Sequence, residues 1–175
     1  MTKLILPALM AMTLGCEVTS GSKSTPASAA KTTIELVDVT YDGLDQAVAR
    51  EKGKVVAIDV WATFCAPCVK KFPSFVDLHE THAAKGLVCI SVSTDDLEAR
   101  SKATEFLKEK NATFANYRLS ESNEKITKDL NAKYPTDMQP VMLIFNRKGE
   151  KVKEFGGKDK PEEIEAFLVK LLGEQ

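Results

Sequence analysis

The chain has 175 residues, 43% of them hydrophobic, and a formal net charge of -1. That is enough for one domain with a proper core and not comfortably for two. The near-neutral balance offers no broad positive field, which argues against nucleic acid as a partner.

Residues 1–16 begin with one early cation, Lys3, then an apolar run over 4–14, then Gly15 and Cys16. This reads as a secretory signal over 1–15. The run is too short to cross a bilayer as a helix, which takes about 20 apolar residues. A small residue followed by Cys directly after the run resembles a bacterial lipoprotein cleavage box, with Thr13 where that signal usually carries Leu. The resemblance implies Cys16 as a lipidated first residue. The alternative is an ordinary signal peptide cut nearby, with Cys16 incidental, and either version exports the domain. Residues 16–33 are rich in Ser, Thr, Ala and Gly, with Val18 the only large apolar residue before Thr33. Such a segment cannot bury enough surface to fold and reads as a flexible tether.

A folded domain is expected over 34–175. Residues 34–39 alternate as an edge strand, and Asp42 or Asp45 is placed to cap a helix through Arg50 with Leu44, Ala47 and Val48 inward. The stretch 54–60 is almost continuously apolar, as expected for a central parallel strand. A helix over 68–84 follows, kinked at Pro73, with His79 and His82 on its solvent surface. Strand 86–93 carries Cys89, read as a small buried hydrophobe. Helix 97–109, strand 112–119 and helix 123–131 come next. Strand 141–146 and strand 151–155 flank a turn at 147–150 and form a hairpin. Pro161 opens a closing helix over 161–172, with Ile164, Phe167, Leu168 and Leu171 on one face. The order β-α-β-α-β-α-β-α-β-β-α predicts an α/β fold, a central, mostly parallel sheet flanked by helices, with an antiparallel edge.

The chemistry centres on Cys65-Ala66-Pro67-Cys68. This spacing alone fits half of a zinc site or a redox dithiol. No second cysteine pair or Cys/His pair follows at ligand spacing, and a strand leads into the motif. Pro67 suits a first helical turn, where its missing N–H does no harm. Cys65 would then meet unpaired backbone N–H groups and the positive end of the helix dipole, which lower a thiol pKa. Cys68, deeper in the helix, is near enough to close a disulfide as the resolving sulfur.

The run Trp61-Ala62-Thr63-Phe64-Cys65-Ala66-Pro67-Cys68 resembles the active-site signature of the thioredoxin superfamily. Lys70-Lys71-Phe72-Pro73 resembles its membrane-anchored TlpA/ResA-like branch, and the likeness extends from about residue 34 to 173. It implies the thioredoxin fold, with 97–123 as the extra helix and strand of that branch. By pattern alone Asp59 points either to solvent or into the core; the resemblance implies a buried acid that accepts the Cys68 proton. Relatives in the TlpA-like branch often have a neutral residue there. The lysine that often accompanies this acid in thioredoxins has no counterpart, and Ser91 falls near its place. Pro140 is open to reading as a strand-starting proline; the resemblance implies a cis-proline opposite the cysteines, leaving the preceding backbone free for substrate. Met138 and Gln139 would then line the substrate groove, Gln139 departing from the usual small or β-branched residue. Trp61 is expected to wall the site, Phe64 to belong to the contact surface, and Ala66 and Pro67 to set the redox poise. Lys71 stands where ResA-like proteins carry an acid. Gly156 and Gly157 form a strand-end turn, the family's close-passing glycine, or both.

These expectations describe an exported, membrane-tethered protein-disulfide reductase. Its substrates are protein disulfides, a membrane electron donor re-reduces it, and no metal or organic cofactor is implied. The alternatives are a disulfide-forming oxidant and a module that binds metal or haem-protein precursors on the same cysteines. A peroxidase would need Thr/Ser-x-x-Cys, and Thr63-Phe64-Cys65 resembles the disulfide type instead.

Overall fold

The computed structural model describes residues 33–121, 132–135 and 137–174. The signal over 1–15, Cys16, all but the last residue of the tether and the helix expected over 123–131 lie outside the described residues.

The elements are β1 (Val37–Val39), α1 (Tyr41–Arg50), β2 (Val55–Trp61), α2 (Ala66–His82) with a 3-10 turn at Ala83–Lys85, β3 (Leu87–Ser93), α3 (Arg100–Glu109), β4 (Ala115–Leu119), β5 (Val141–Phe145), β6 (Lys151–Phe155) and α4 (Pro161–Gly173). The strands form one sheet in the order β1-β4-β3-β2-β5-β6. β1, β4, β3 and β2 run parallel, and β5 and β6 add the antiparallel edge. This is the mixed, mostly parallel sheet of the thioredoxin fold. The insertion expected over 97–123 is α3 with β4, which lies between β1 and β3.

β2 is central and buried on both faces, which is why its sequence is an unbroken apolar run apart from Asp59. Val56, Ile58 and Val60 pack with Tyr41, Leu44 and Val48 of α1. On the opposite face, Val55 and Ala57 meet Phe75 and Leu78 of α2 and Ile164 and Leu168 of α4. Trp61, on that same face, packs with Cys68 and Phe72 of α2 and with Ala103 and Leu107 of α3. The face that carries Asp59 is therefore the one beneath the active-site helix.

Two expectations are corrected. Thr40, not Asp42 or Asp45, caps α1: its hydroxyl accepts the Gly43 N–H at 3.0 Å. β1 ends at Val39, so Thr40 is the first residue outside the helix, and Asp45 instead accepts the Tyr134 hydroxyl at 2.9 Å. His82 is not a surface residue. It is 2% exposed, and its Nε2 lies 3.0 Å from Glu165 of α4, because the closing helix covers the end of α2. His79 is half-buried, its ring edge-on to Phe114.

Candidate active site

β2 delivers Trp61 to the end of the sheet, and a tight turn follows in which the Cys65 N–H donates to the Ala62 carbonyl at 3.1 Å. Cys65 is the residue that caps α2. Its sulfur lies 3.3 Å from the Cys68 N–H, which donates to it. The helix thus begins at Ala66, two residues earlier than its sequence pattern suggests, because a sulfur takes the capping role. Pro67 sits in the first turn, where no N–H is needed, and the helix runs on through Pro73.

Cys65 and Cys68 are joined as a disulfide, their Cα atoms 5.3 Å apart. Cys65 is half-buried and Cys68 is 1% exposed. One sulfur can be approached from outside and the other cannot. On reduction, a Cys65 thiolate would keep the Cys68 N–H and the first-turn dipole as stabilising partners. This arrangement suits attack by Cys65 and resolution by Cys68.

The turn before Cys65 is fixed from the side by a residue that the sequence does not advertise. Asp95 is 1% exposed and accepts the Thr63 N–H at 3.1 and 3.0 Å, the Thr63 hydroxyl at 2.6 Å and the Ser93 hydroxyl at 2.8 Å. The β2–β3 register explains the encounter. Trp61 stands opposite Ser93, so the residues that follow each strand emerge side by side. Arg118 of β4 donates to the Asp95 carbonyl at 3.3 Å and grips Asp38 with two bonds of 2.9 Å. Arg118 also holds the Asp38 carboxyl below its ordinary range. The inserted strand is thereby tied to the active-site turn.

Asp59 lies opposite Ser91 on β3 and Met142 on β5, two residues before Trp61 on the same face. It is 8% exposed. The structure thus excludes the solvent-facing alternative. Burial raises its carboxyl from the ordinary 3.8 to about 7, with Lys71 acting in the opposite direction. Ser91 is not a partner for it, since its hydroxyl donates to Asn116 at 2.7 Å. Cys89, on the same face, is a buried free thiol whose pKa burial pushes far up.

The Gln139–Pro140 peptide is cis. Pro140 lines a small cavity together with Asp59, Lys71, Met142, Phe155 and Ile164. Gly157 passes close beneath the proline: a Cβ there would come within 3.3 Å of Pro140 Cγ. Gln139 donates its amide N–H to the Thr94 hydroxyl. The proline loop and the loop after β3 are thus joined, and the latter also holds the cysteine turn.

The expected surface residues do lie outward. Phe64 is 73% and Met138 63% exposed, and Ala66 and Pro67 are also exposed. Leu97 is 63% exposed as well and lies in the loop that carries Asp95, since the helix expected over 97–109 begins at Arg100. Trp61 is fully buried, packed against Cys68 and, with tilted rings, against Phe72 and Phe106 at centroid distances of 5.1 and 4.8 Å. Cys16 lies outside the described residues. Among the described residues no three His, Cys, Asp or Glu side chains gather closely enough to hold a metal, and no helix is long and apolar enough to cross a membrane.

A family model described as Redoxin matches residues 20–168. The thiol-disulfide oxidoreductase ResA of Bacillus cereus is 28% identical over 120 residues, a match covering 69% of this chain and 65% of the relative. The chain therefore spans slightly under two thirds of that relative's length. Among solved structures, the thioredoxin domain of a thiol-disulfide oxidoreductase from Bacteroides vulgatus superposes with a TM-score of 0.53 at 25% identity, covering 69% of this chain and 83% of that one. A thiol:disulfide interchange protein from Chlorobium tepidum gives a TM-score of 0.58 at 20% identity, covering 77% and 91%, and speaks to the fold alone.

Proposed function

The chain belongs to the Redoxin family, and from that premise we propose that it is a thiol-disulfide oxidoreductase that reduces protein disulfides. The observation that carries the reading is the asymmetry of the cysteine pair: a half-buried Cys65 capping α2, 3.3 Å from the Cys68 N–H, beside a buried Cys68.

The Cys65 thiolate attacks one sulfur of a substrate disulfide, forming a mixed disulfide and expelling the other substrate sulfur as a thiolate. Cys68 gives its proton to Asp59, and its thiolate attacks Cys65 Sγ. That step closes the Cys65–Cys68 disulfide and releases the second substrate sulfur. Two electrons pass from the dithiol to the substrate. Asp59 suits the general-base role because a carboxyl near 7 is partly ionised at neutral pH and takes up a proton readily. Pro140, with no N–H of its own, leaves the adjoining backbone open to an extended substrate segment. Phe64, Ala66, Pro67, Met138 and Gln139 form the groove around it, and Trp61 supports the pair from below.

The domain over 34–175 is exported on a signal over 1–15 and held to the outer face of a membrane by lipid on Cys16 and the tether over 16–33. Likeness to a ResA protein supports an extracytoplasmic place. A membrane electron donor restores the dithiol. The test is to equilibrate the full chain with glutathione or dithiothreitol and to follow reduction of a model protein disulfide. A potential near that of thioredoxin, roughly -270 mV, with turnover, is expected. A potential near roughly -120 mV would replace the reductase reading with a disulfide-forming oxidant. Tight stoichiometric metal binding without turnover would replace it with a binding module.

A further inference from the structure

A reductase that uses Asp59 as its base must also discharge it. The proton taken from Cys68 has to leave a carboxyl that is enclosed by α2, β3 and β5. The structure offers a route beside it. The cavity lined by Asp59, Lys71, Pro140, Met142, Phe155 and Ile164 has a water-accessible volume of about 30 Å³, room for a water molecule or two. Asp59 is its buried polar member, and Lys71 is half-buried at its edge.

Lys71 is not a loose surface lysine. Its ammonium donates to the carbonyls of Gly156 at 3.1 Å and Asp159 at 2.8 Å, in the loop between β6 and α4. Both bonds span the gap between α2 and that loop, so they hold the charge beside the cavity. The other ionisable groups facing this region do not compete for the part. From β3 comes the Cys89 thiol, which burial keeps neutral. The Asp159 carboxylate is turned to the Gly156 N–H at 2.6 Å. Cys68 comes from α2 and is the proton's source. β5, β6 and α4 contribute the apolar Met142, Phe155 and Ile164. A fixed cation beside a water-sized cavity favours the charged form of a carboxyl lining it.

We propose that Lys71 is a positioning residue for proton transfer: pinned by the Gly156 and Asp159 carbonyls, it favours ionised Asp59, and the cavity carries the proton of Cys68 from Asp59 to solvent. The chemistry rests on the reductase reading. In the balanced step, Cys68 loses a proton to the Asp59 carboxylate, and the carboxylic acid then yields it to water in the cavity. The positive charge beside that water speeds release and restores the base.

The experiment titrates Asp59 in the full chain with the disulfide closed and no substrate, by its side-chain carbon resonance or carboxyl infrared band. Lys71→Gln keeps a donor for the two carbonyls and loses the charge; Lys71→Arg keeps the charge. The Asp59 midpoint, about 7 in the parent, is expected to rise by roughly one pH unit in Lys71→Gln, the scale of one nearby opposite charge. Lys71→Arg should leave it nearly in place. The pH profile for release of a mixed disulfide should move with the midpoint. An unmoved midpoint in Lys71→Gln, or equal movement in both variants, overturns the proposal. The titration needs no turnover, so a protein that reduces no disulfide would sink the reductase reading and leave the Lys71–Asp59 result standing.

Discussion

Thr63 gives Asp95 both of its donors, the backbone N–H at 3.1 and 3.0 Å and the hydroxyl at 2.6 Å. Two residues before the attacking cysteine, the chain is anchored to a buried carboxylate on the neighbouring strand's exit loop. Asp95→Asn would face the Thr63 and Ser93 donors with an amide that itself donates. We expect a stability loss of about 1–3 kcal/mol, the cost of impaired buried hydrogen bonds, measured by urea denaturation of the oxidised protein. Thr63→Ala, which keeps the backbone bonds, should lose less. Equal stability of Asp95→Asn and the parent would remove Asp95 from this role.

Asp59 makes stability fall as pH rises. Its folded carboxyl holds a proton to about 7, against 3.8 for an ordinary aspartate. Between those values the folded state binds the extra proton, so the contribution is complete below about pH 4 and is lost as pH passes through 7. From this group alone the loss is on the order of 4 kcal/mol. Denaturation at pH 5 and pH 8 should show most of it, and Asp59→Asn should flatten the difference. The same variant should slow mixed-disulfide resolution and erase its rise through neutral pH. A parent protein equally stable at both values would contradict the assignment.

Cys68→Ser should trap the covalent adduct between Cys65 and a substrate, visible by mass spectrometry and released by dithiothreitol. Cys65→Ser should form no adduct. Adducts on Cys68 in that variant would reverse the two roles.

Gly157→Ala should disturb the site without touching a cysteine. The added methyl lies within 3.3 Å of Pro140 Cγ, tighter than ordinary contact. We expect a cost of about 1 kcal/mol and a reduced rate of disulfide reduction, with the effect on KM exceeding that on stability. Unchanged kinetics would place the substrate away from Pro140.

Much of this was legible in the chain because the signals were local. The apolar run of β2, the cysteine spacing, Pro67 and the hairpin turn each depend on a few consecutive residues. Asp59 was legible as an anomaly, a charge in an apolar strand, though only the sheet's neighbours decide which way it faces. Asp95 was not, because an acid just after a strand looks like any solvated turn. Its role follows from β3 pairing in register with β2, and the nearest signal is Ser93 two residues before it. Lys71 stands out in the sequence only as a lysine where ResA-like proteins carry an acid, because its carbonyl partners come from the distant β6–α4 loop. His82 looked like a surface residue because nothing near it in sequence reveals that α4 will cover it. Long-range partners separate the two groups.

Cys89 adds a consequence of a different kind. It is free, 1% exposed, and held protonated by its surroundings. In the native state an alkylating reagent should leave it unmarked while the reduced Cys65 reacts. Its slow modification therefore records how often the central sheet opens. Read by mass spectrometry on the Cys89 peptide, the chain carries its own clock for transient opening. The same protein can thus be timed oxidised and reduced, asking whether closing the disulfide makes the sheet open less often.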